Sequence, residues 1–195
     1  ILSTGMCNNN EIKNALKVLK KYNLSRKKII LLHCTSNYPA SEEEANISSI
    51  AELKKKFNLE VGYSDHTIGN EAANISVAYG ARIFEKHFTI SKKMIGPDHA
   101  ASLNPNELKN YINSLRKSVK IIGSGIKMIS KSEKKNLQVI RKSIYATKKI
   151  TKGDIFSEEN ILPKRPYNKN NPMDWQKFIG KKATKNYEID DEIKF

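Results

Sequence analysis

The sequence predicts an α/β protein with a parallel sheet, followed by a small β-rich module. Three observations carry that prediction. From residue 1 to about 123, a short apolar run, a polar turn and an amphipathic stretch follow one another four times. Parallel strands need a crossover of about a dozen residues, usually a helix, before the next strand can pair. The serines, histidines and carboxylates all follow the apolar runs, while the connections leading back into them (Asn23 to Lys27, Phe57 to Asn58) are bland. In parallel sheets chemistry gathers on loops at the carboxyl ends of strands, so this asymmetry argues for an enzyme. Past residue 124 the rhythm stops, and only short apolar runs separated by turns remain.

The elements follow in order. Ile1-Leu2 reads as a strand already under way, with Ser3 to Asn10 as its loop, and predicts that the chain continues a longer one. Glu11 to Tyr22 places Ile12, Ala15, Leu16 and Leu19 at helical spacing. Lys28 to Leu32 is the second strand, running into His33-Cys34-Thr35-Ser36-Asn37-Tyr38-Pro39, where Pro39 stops any regular element. Ser41, with Glu44 three residues on, predicts a capping box for a helix whose apolar face is Ile47, Ile50, Ala51 and Leu53. Glu60 to Tyr63 is the third strand, ending at Ser64-Asp65-His66-Thr67. A helix from Asn70 to Tyr79 closes at Gly80, and Arg82 to Phe84 makes a fourth strand, ending at Glu85-Lys86-His87-Phe88-Thr89. After the loop containing Gly96-Pro97-Asp98-His99 comes a helix from Pro105 to about Ile122, stopped by Gly123. Residues 124–138 are polar and Lys-rich and read as a linker with a short helix. Residues 139–195 form the β-rich module, where Gly153-Asp154 signals a turn and Pro166 and Pro172 exclude long helices.

Composition narrows the class. The 195 residues hold two cysteines, too few for a disulfide scaffold, and no apolar run approaches the ~20 residues of a membrane span. Neither a signal peptide nor a membrane segment is legible, so the expected setting is a reducing cytoplasm. Lys+Arg outnumber Asp+Glu by 35 to 20, giving +15. The lysines are spread along outward helical positions, with no aromatic-interleaved basic stripe, zinc finger or phosphate-binding glycine loop. The charge therefore reads as a solvated exterior that steers anionic substrates, with no nucleic-acid partner expected.

His66 and His87 are the strongest pair. Each is the first imidazole after a parallel strand, and neighbouring strands lie ~4.8 Å apart. Two imidazoles at that separation can share a divalent cation, with carboxylate or water in the other positions. They are equally well placed as hydrogen-bonded strand-end histidines, and no third nitrogen or sulfur ligand for a fully protein-bound zinc is evident. Strand alternation is expected to aim Asp65 and Glu85 the other way, as supporting groups behind the histidines. His33 beside Cys34 suggests a base and nucleophile, but adjacent strand residues face opposite ways, which favours a buried structural cysteine. Ser36, Tyr38 and Ser64 offer hydroxyls at the same rim. The Gly96 to Leu103 loop, with Asp98 and His99, is either a lid or ordinary surface.

Taken together, ILSTGM (Ile1 to Met6), LLHCTSNYP (Leu31 to Pro39), VGYSDHTIG (Val61 to Gly69), FEKHFT (Phe84 to Thr89), GPDHAASL (Gly96 to Leu103), RKSIYA (Arg141 to Ala146) and ENILPKRP (Glu159 to Pro166) closely resemble the sialic acid synthase family. That family includes N-acetylneuraminate synthases and the related legionaminate and pseudaminate synthases. The resemblance runs over essentially the whole chain. It implies a TIM (β/α)8 barrel, of which residues 1–123 hold the C-terminal half as four βα units. After the linker it implies an antifreeze-like (SAF, β-clip) domain over residues 139–195. It further implies condensation of phosphoenolpyruvate with N-acetylmannosamine or a related N-acylated hexosamine, releasing phosphate. His66 and His87 match the histidines that hold a divalent cation, usually Mn2+. Ser36, Tyr38 and Ser64 match residues touching phosphoenolpyruvate or the sugar. Arg165 matches an arginine that reaches from the SAF domain into the partner subunit's site in a homodimer, where it meets the sugar's N-acyl group. The family's phosphoenolpyruvate-gripping lysines and its acidic residue near the metal lie on earlier strands than these, so the chain alone is expected to be inactive and prone to associate. The motifs lean toward neuraminate or legionaminate over pseudaminate synthases. The competing readings are a polyanion-binding module and a non-catalytic carbohydrate-binding protein.

Overall fold

The computed structural model describes residues 1–194; Phe195, the last residue of the expected C-terminal module, lies outside the described residues. The chain divides into two units, Ile1–Gly125 and Ile126–Phe195. In the first, strands β1 (Leu2–Ser3), β2 (Ile30–His33), β3 (Glu60–Asp65) and β4 (Phe84–Lys86) pair in sequence order, every pair parallel. Helices α1 (Asn9–Lys21), α2 (Ser49–Phe57) and α3 (Glu71–Ala78) make the crossovers, and α4 (Pro105–Ile122) follows β4. The α/β class with its parallel sheet is as the alternating pattern predicts.

Local chemistry explains most element ends. Asn8 caps α1 and Glu11 reaches back to the Asn8 N–H, a reciprocal box that satisfies two otherwise orphaned donors. Asn104 and Glu107 do the same for α4, with Pro105 in its first turn. The expected box at Ser41 and Glu44 does not form. Residues 41–48 stay irregular because their carbonyls serve other partners: Glu44 accepts from the Thr35 hydroxyl at 2.9 Å and Ala45 from the His33 ring at 2.8 Å. Asn46 then adopts φ +40°, which a helix cannot continue through, and α2 begins only at Ser49. β3 runs further than its hydrophobicity suggests, and β4 (Phe84–Lys86) sits two residues later than the expected Arg82 to Phe84. β3 carries Ser64 and Asp65 inside the ladder, and β4 carries Glu85 and Lys86.

The core explains the register. Leu31, Val61 and Tyr63 project from one sheet face into a cluster completed by Ile12 and Leu16 of α1, Ile50, Leu53 and Phe57 of α2, Ala73 of α3 and Tyr111 of α4. A one-residue slip would turn that whole set to the opposite face. Gly62 sits on that opposite face, where a Cβ would lie 2.5 Å from the Ile83 carbonyl oxygen and 2.7 Å from Leu32 Cδ2. Only glycine allows that approach.

The second unit opens with α5 (Lys131–Ile140), capped by Ser130 and Glu133. Strands β5 (Ser143–Ala146) and β6 (Ile161–Lys164) pair antiparallel, and a short helix α6 (Trp175–Phe178) follows. Single bridges (Tyr145 to Glu192, Ile150 to Tyr187, Ile155 to Lys182) extend the pairing around a core of Ile144, Ile150, Phe156, Ile161, Phe178, Tyr187 and Ile193.

Candidate active site

Pairing of Ser64 with Glu85, and of Asp65 with Lys86, sets which side chains meet at the carboxyl ends of β3 and β4. Because parallel partners share a face and strand residues alternate, Ser64, His66, Glu85 and His87 fall on one side, Asp65 and Lys86 on the other. The expectation that Asp65 and Glu85 both turn away from the histidines therefore holds for Asp65 and fails for Glu85. Glu85 stands two residues before His87, so alternation keeps them together, and its carboxylate accepts the Ser64 hydroxyl at 2.7 Å.

Ser64 has one hydroxyl proton, and Glu85 takes it. Ser64 Oγ, 3.3 Å from His66 Nε2, is thus left to accept an Nε2–H. That tautomer leaves the lone pair on Nδ1, which is buried and makes no hydrogen bond among the described residues. The His66 and His87 rings stand 5.5 Å apart at 70°. Tyr38, arriving on the β2–α2 loop, stacks on His87 at 4.0 Å and meets His66 edge-on at 5.2 Å. The loop is tied to β3 by the Ala40 N–H, which donates to the His66 carbonyl at 2.8 Å. Burial raises the Tyr38 phenol above its usual range, with Asp98's charge adding to it, so the ring serves as a neutral wall. The Asp98 carboxylate lies 3.7 Å from His87 Nδ1, which places the Gly96 to Leu103 loop at the rim.

The remaining expected residues disperse. Ser36 is exposed, packed over Gly5 beside Cys34. His33 turns toward the helices, bonded to the Ala45 carbonyl and stacked on Tyr63 at 6.0 Å. It is no base for Cys34, whose thiol is itself pushed up by burial, away from a nucleophilic thiolate. His99 Nδ1 bonds Thr89 Oγ1 at 2.7 Å and belongs to the loop's own scaffold. Arg165 lies in the second unit, exposed, its Nε donating to the Ile140 carbonyl at 2.6 Å. Among the described residues no group of three or more His, Cys, Asp or Glu side chains is placed to hold a metal ion, and no helix is long and apolar enough to cross a membrane. The donors that fit a divalent cation are the two imidazoles, with a buried orphan nitrogen on His66.

Residues 1–127 match the model of the NeuB family. The chain belongs to that family. It is 52% identical to the N,N'-diacetyllegionaminic acid synthase of Campylobacter jejuni, covering 100% of this chain and 58% of that protein. It is 39% identical to the enzyme of the same name from Legionella pneumophila, over 95% of this chain and 53% of the other. Among solved structures it resembles the N-acetylneuraminic acid synthetase of Leptospira borgpetersenii, with TM-score 0.62 and 38% identity over 69% of this chain and 46% of that one. The chain thus spans about half the length of the relatives it matches.

Proposed function

We propose that this NeuB-family chain supplies the second half of a TIM-barrel catalytic domain (residues 1–123) and an antifreeze-like SAF domain (residues 139–195) to a nonulosonic acid synthase working in the cytoplasm. The reaction is condensation of phosphoenolpyruvate with an N-acylated hexosamine. Carbon 3 of the enol bonds to the sugar's aldehyde carbon, water adds at carbon 2, and inorganic phosphate leaves. The observation that carries the reading is the orphaned, buried His66 Nδ1 beside the His87 ring, walled by Tyr38. His66 and His87 would hold a divalent cation, with Mn2+ the expected ion. When bound, that cation supplies Lewis acidity to the aldehyde oxygen. Ser64, fixed by Glu85, keeps His66 in the tautomer that presents Nδ1, and Tyr38 offers its hydroxyl to phosphoenolpyruvate or the sugar. Arg165 meets the sugar's N-acyl group from the partner subunit of a homodimer.

Relatives named for a diacetylated acid favour an acceptor with two N-acetyl groups, since phosphoenolpyruvate brings none. The N-acetylneuraminic acid synthetase among the structural neighbours favours N-acetylmannosamine as the second reading. Phosphate release in a chain carrying the complete barrel tests both. Turnover should require Mn2+, run faster with the diacetamido sugar, and vanish in His66→Ala. Wild-type rates in that variant would remove the assignment, and absence of release with either sugar would favour a non-catalytic carbohydrate-binding role.

A further inference from the structure

We propose that Asp65, Lys86 and Tyr111 are positioning residues, a buried clamp behind β3 and β4 that fixes the separation and aim of the His66 and His87 imidazoles. The inference rests on reading those two rings as one site. The β3–β4 ladder ends at the pair Asp65 and Lys86, so each histidine lies one residue beyond the last register pair. Beyond it each histidine's backbone keeps one inter-segment bond, the Ala40 N–H to the His66 carbonyl at 2.8 Å and the Leu103 N–H to the His87 carbonyl at 2.9 Å. The side chains behind the sheet supply the rest of the hold. Asp65 Oδ1 accepts from the Thr67 N–H at 2.9 Å and the Thr67 hydroxyl at 2.7 Å, closing a turn with His66 at its centre. Asp65 Oδ2 accepts the Tyr111 hydroxyl at 3.0 Å and pairs with Lys86 Nζ at 3.1 Å. Lys86 Nζ also donates to the Thr67 carbonyl. The residue before His87 therefore grips the residues on both sides of His66.

The cluster is closed to water. Asp65 is 0% exposed, Tyr111 2% and the Lys86 side chain 4%. Its partners come from β3, β4 and α4, so the turn around His66 is pinned to the next strand and to the helix behind it. Were support of the fold its sole purpose, apolar residues of similar size would serve as well or better, since desolvating two charges offsets much of their attraction. What the ions add is direction. A carboxylate with every partner supplied by protein has one good placement, and that placement fixes the His66 backbone and the Lys86–His87 step together.

The test uses Tyr111→Phe, which removes one bond and keeps the shape, and the neutral pair Asp65→Asn with Lys86→Gln, which avoids a stranded charge. Two readouts are taken on the full chain after circular dichroism confirms folding. The first is Mn2+ affinity by electron paramagnetic resonance, where loss of orienting partners should weaken binding about tenfold or more. The second needs no metal: the imidazole 15N shifts of His66 should report the Nε2–H form in the wild type and a mixture of tautomers in the variants. Folded variants that keep both the wild-type affinity and the wild-type tautomer would overturn the clamp. Tautomer mixing in a protein that binds no Mn2+ would uphold the clamp and remove the cation reading instead.

Discussion

Asp65 and His66 are neighbours in the chain, and Lys86 and His87 are neighbours on the next strand, yet the two pairs face opposite environments. Behind the sheet, Asp65 engages three hydroxyl or amide donors and one ammonium, and is fully buried. In front, His66 buries a nitrogen with no hydrogen bond among the described residues, and the His87 side chain, 37% exposed, has a charged neighbour only at 3.7 Å. A buried polar atom without a partner costs about 1–3 kcal/mol. One face is thus saturated and the other left in need of partners, within a single residue's rotation of the backbone. Satisfied groups are placed where they bear on geometry; unsatisfied ones are placed where a ligand could satisfy them.

Substitutions that strand a charge behind the sheet should break this difference most visibly. Lys86→Met leaves the Asp65 carboxylate buried without its cation and is expected to lower stability by about 3–5 kcal/mol. His66→Ala, on the open face, should change it by no more than about 1 kcal/mol. Hydrogen exchange of the β3 and β4 amides reads both, and equal losses would erase the distinction. A smaller effect comes from Gly62→Ala. The added methyl must displace the Ile83 carbonyl oxygen or Leu32, an overpacking worth about 1–3 kcal/mol. A urea midpoint unchanged from wild type would show that the strands can part there freely.

Sequence pattern made much of this legible. The four apolar runs and the amphipathic segments between them place every strand of the parallel sheet, because burying one helix stripe and one sheet face leaves a periodic record. The pair His66 and His87 was visible for the same reason, as the first imidazoles after adjacent strands. Strand ends were less so, since Ser64, Asp65, Glu85 and Lys86 are polar and hydrophobicity stops before the ladder does. Glu85 departs from the expectation because it stands two residues before His87, whereas Asp65 stands one before His66. The two-residue step from Glu85 to His87 carried the right answer, and the register offset confirms it. The Ser41 box failed for another reason. Its signal was local, while the Thr35 and His33 side chains that claim the following carbonyls come from the preceding strand and loop. Tyr111 left no signal as an Asp65 partner, because the two are 46 residues apart and a helical tyrosine reads as core.

The smallest expected effects concern the start of α4, the helix that carries Tyr111 into the buried cluster. Asn104→Ala removes the acceptor for the Glu107 N–H at 3.0 Å and should cost about 1 kcal/mol, read as faster exchange in the first turn of α4. Glu107 adds a pH dependence. Its carboxylate bonds Lys92 at 2.8 Å and accepts the Asn104 N–H at 2.9 Å, and these contacts, Lys92 first, hold its pKa below the ordinary 4.5. A carboxylate depressed in the folded state stabilises it above the unfolded value and loses that contribution as pH falls through the folded one. Protection of α4's first turn should therefore be constant at neutral pH and decline below about 4.5. The decline should be modest, because the pair is more than a third exposed and salt screens it. Lys92 belongs to the same loop as Asp98, so the loss should extend to that rim and spare the Asp65 cluster. Glu107→Gln should flatten the acid-side decline at α4 and in the loop alike. If the variant and the wild type lose protection together as the pH is lowered, the Lys92–Glu107 contact does not couple the site's rim to the helix behind it.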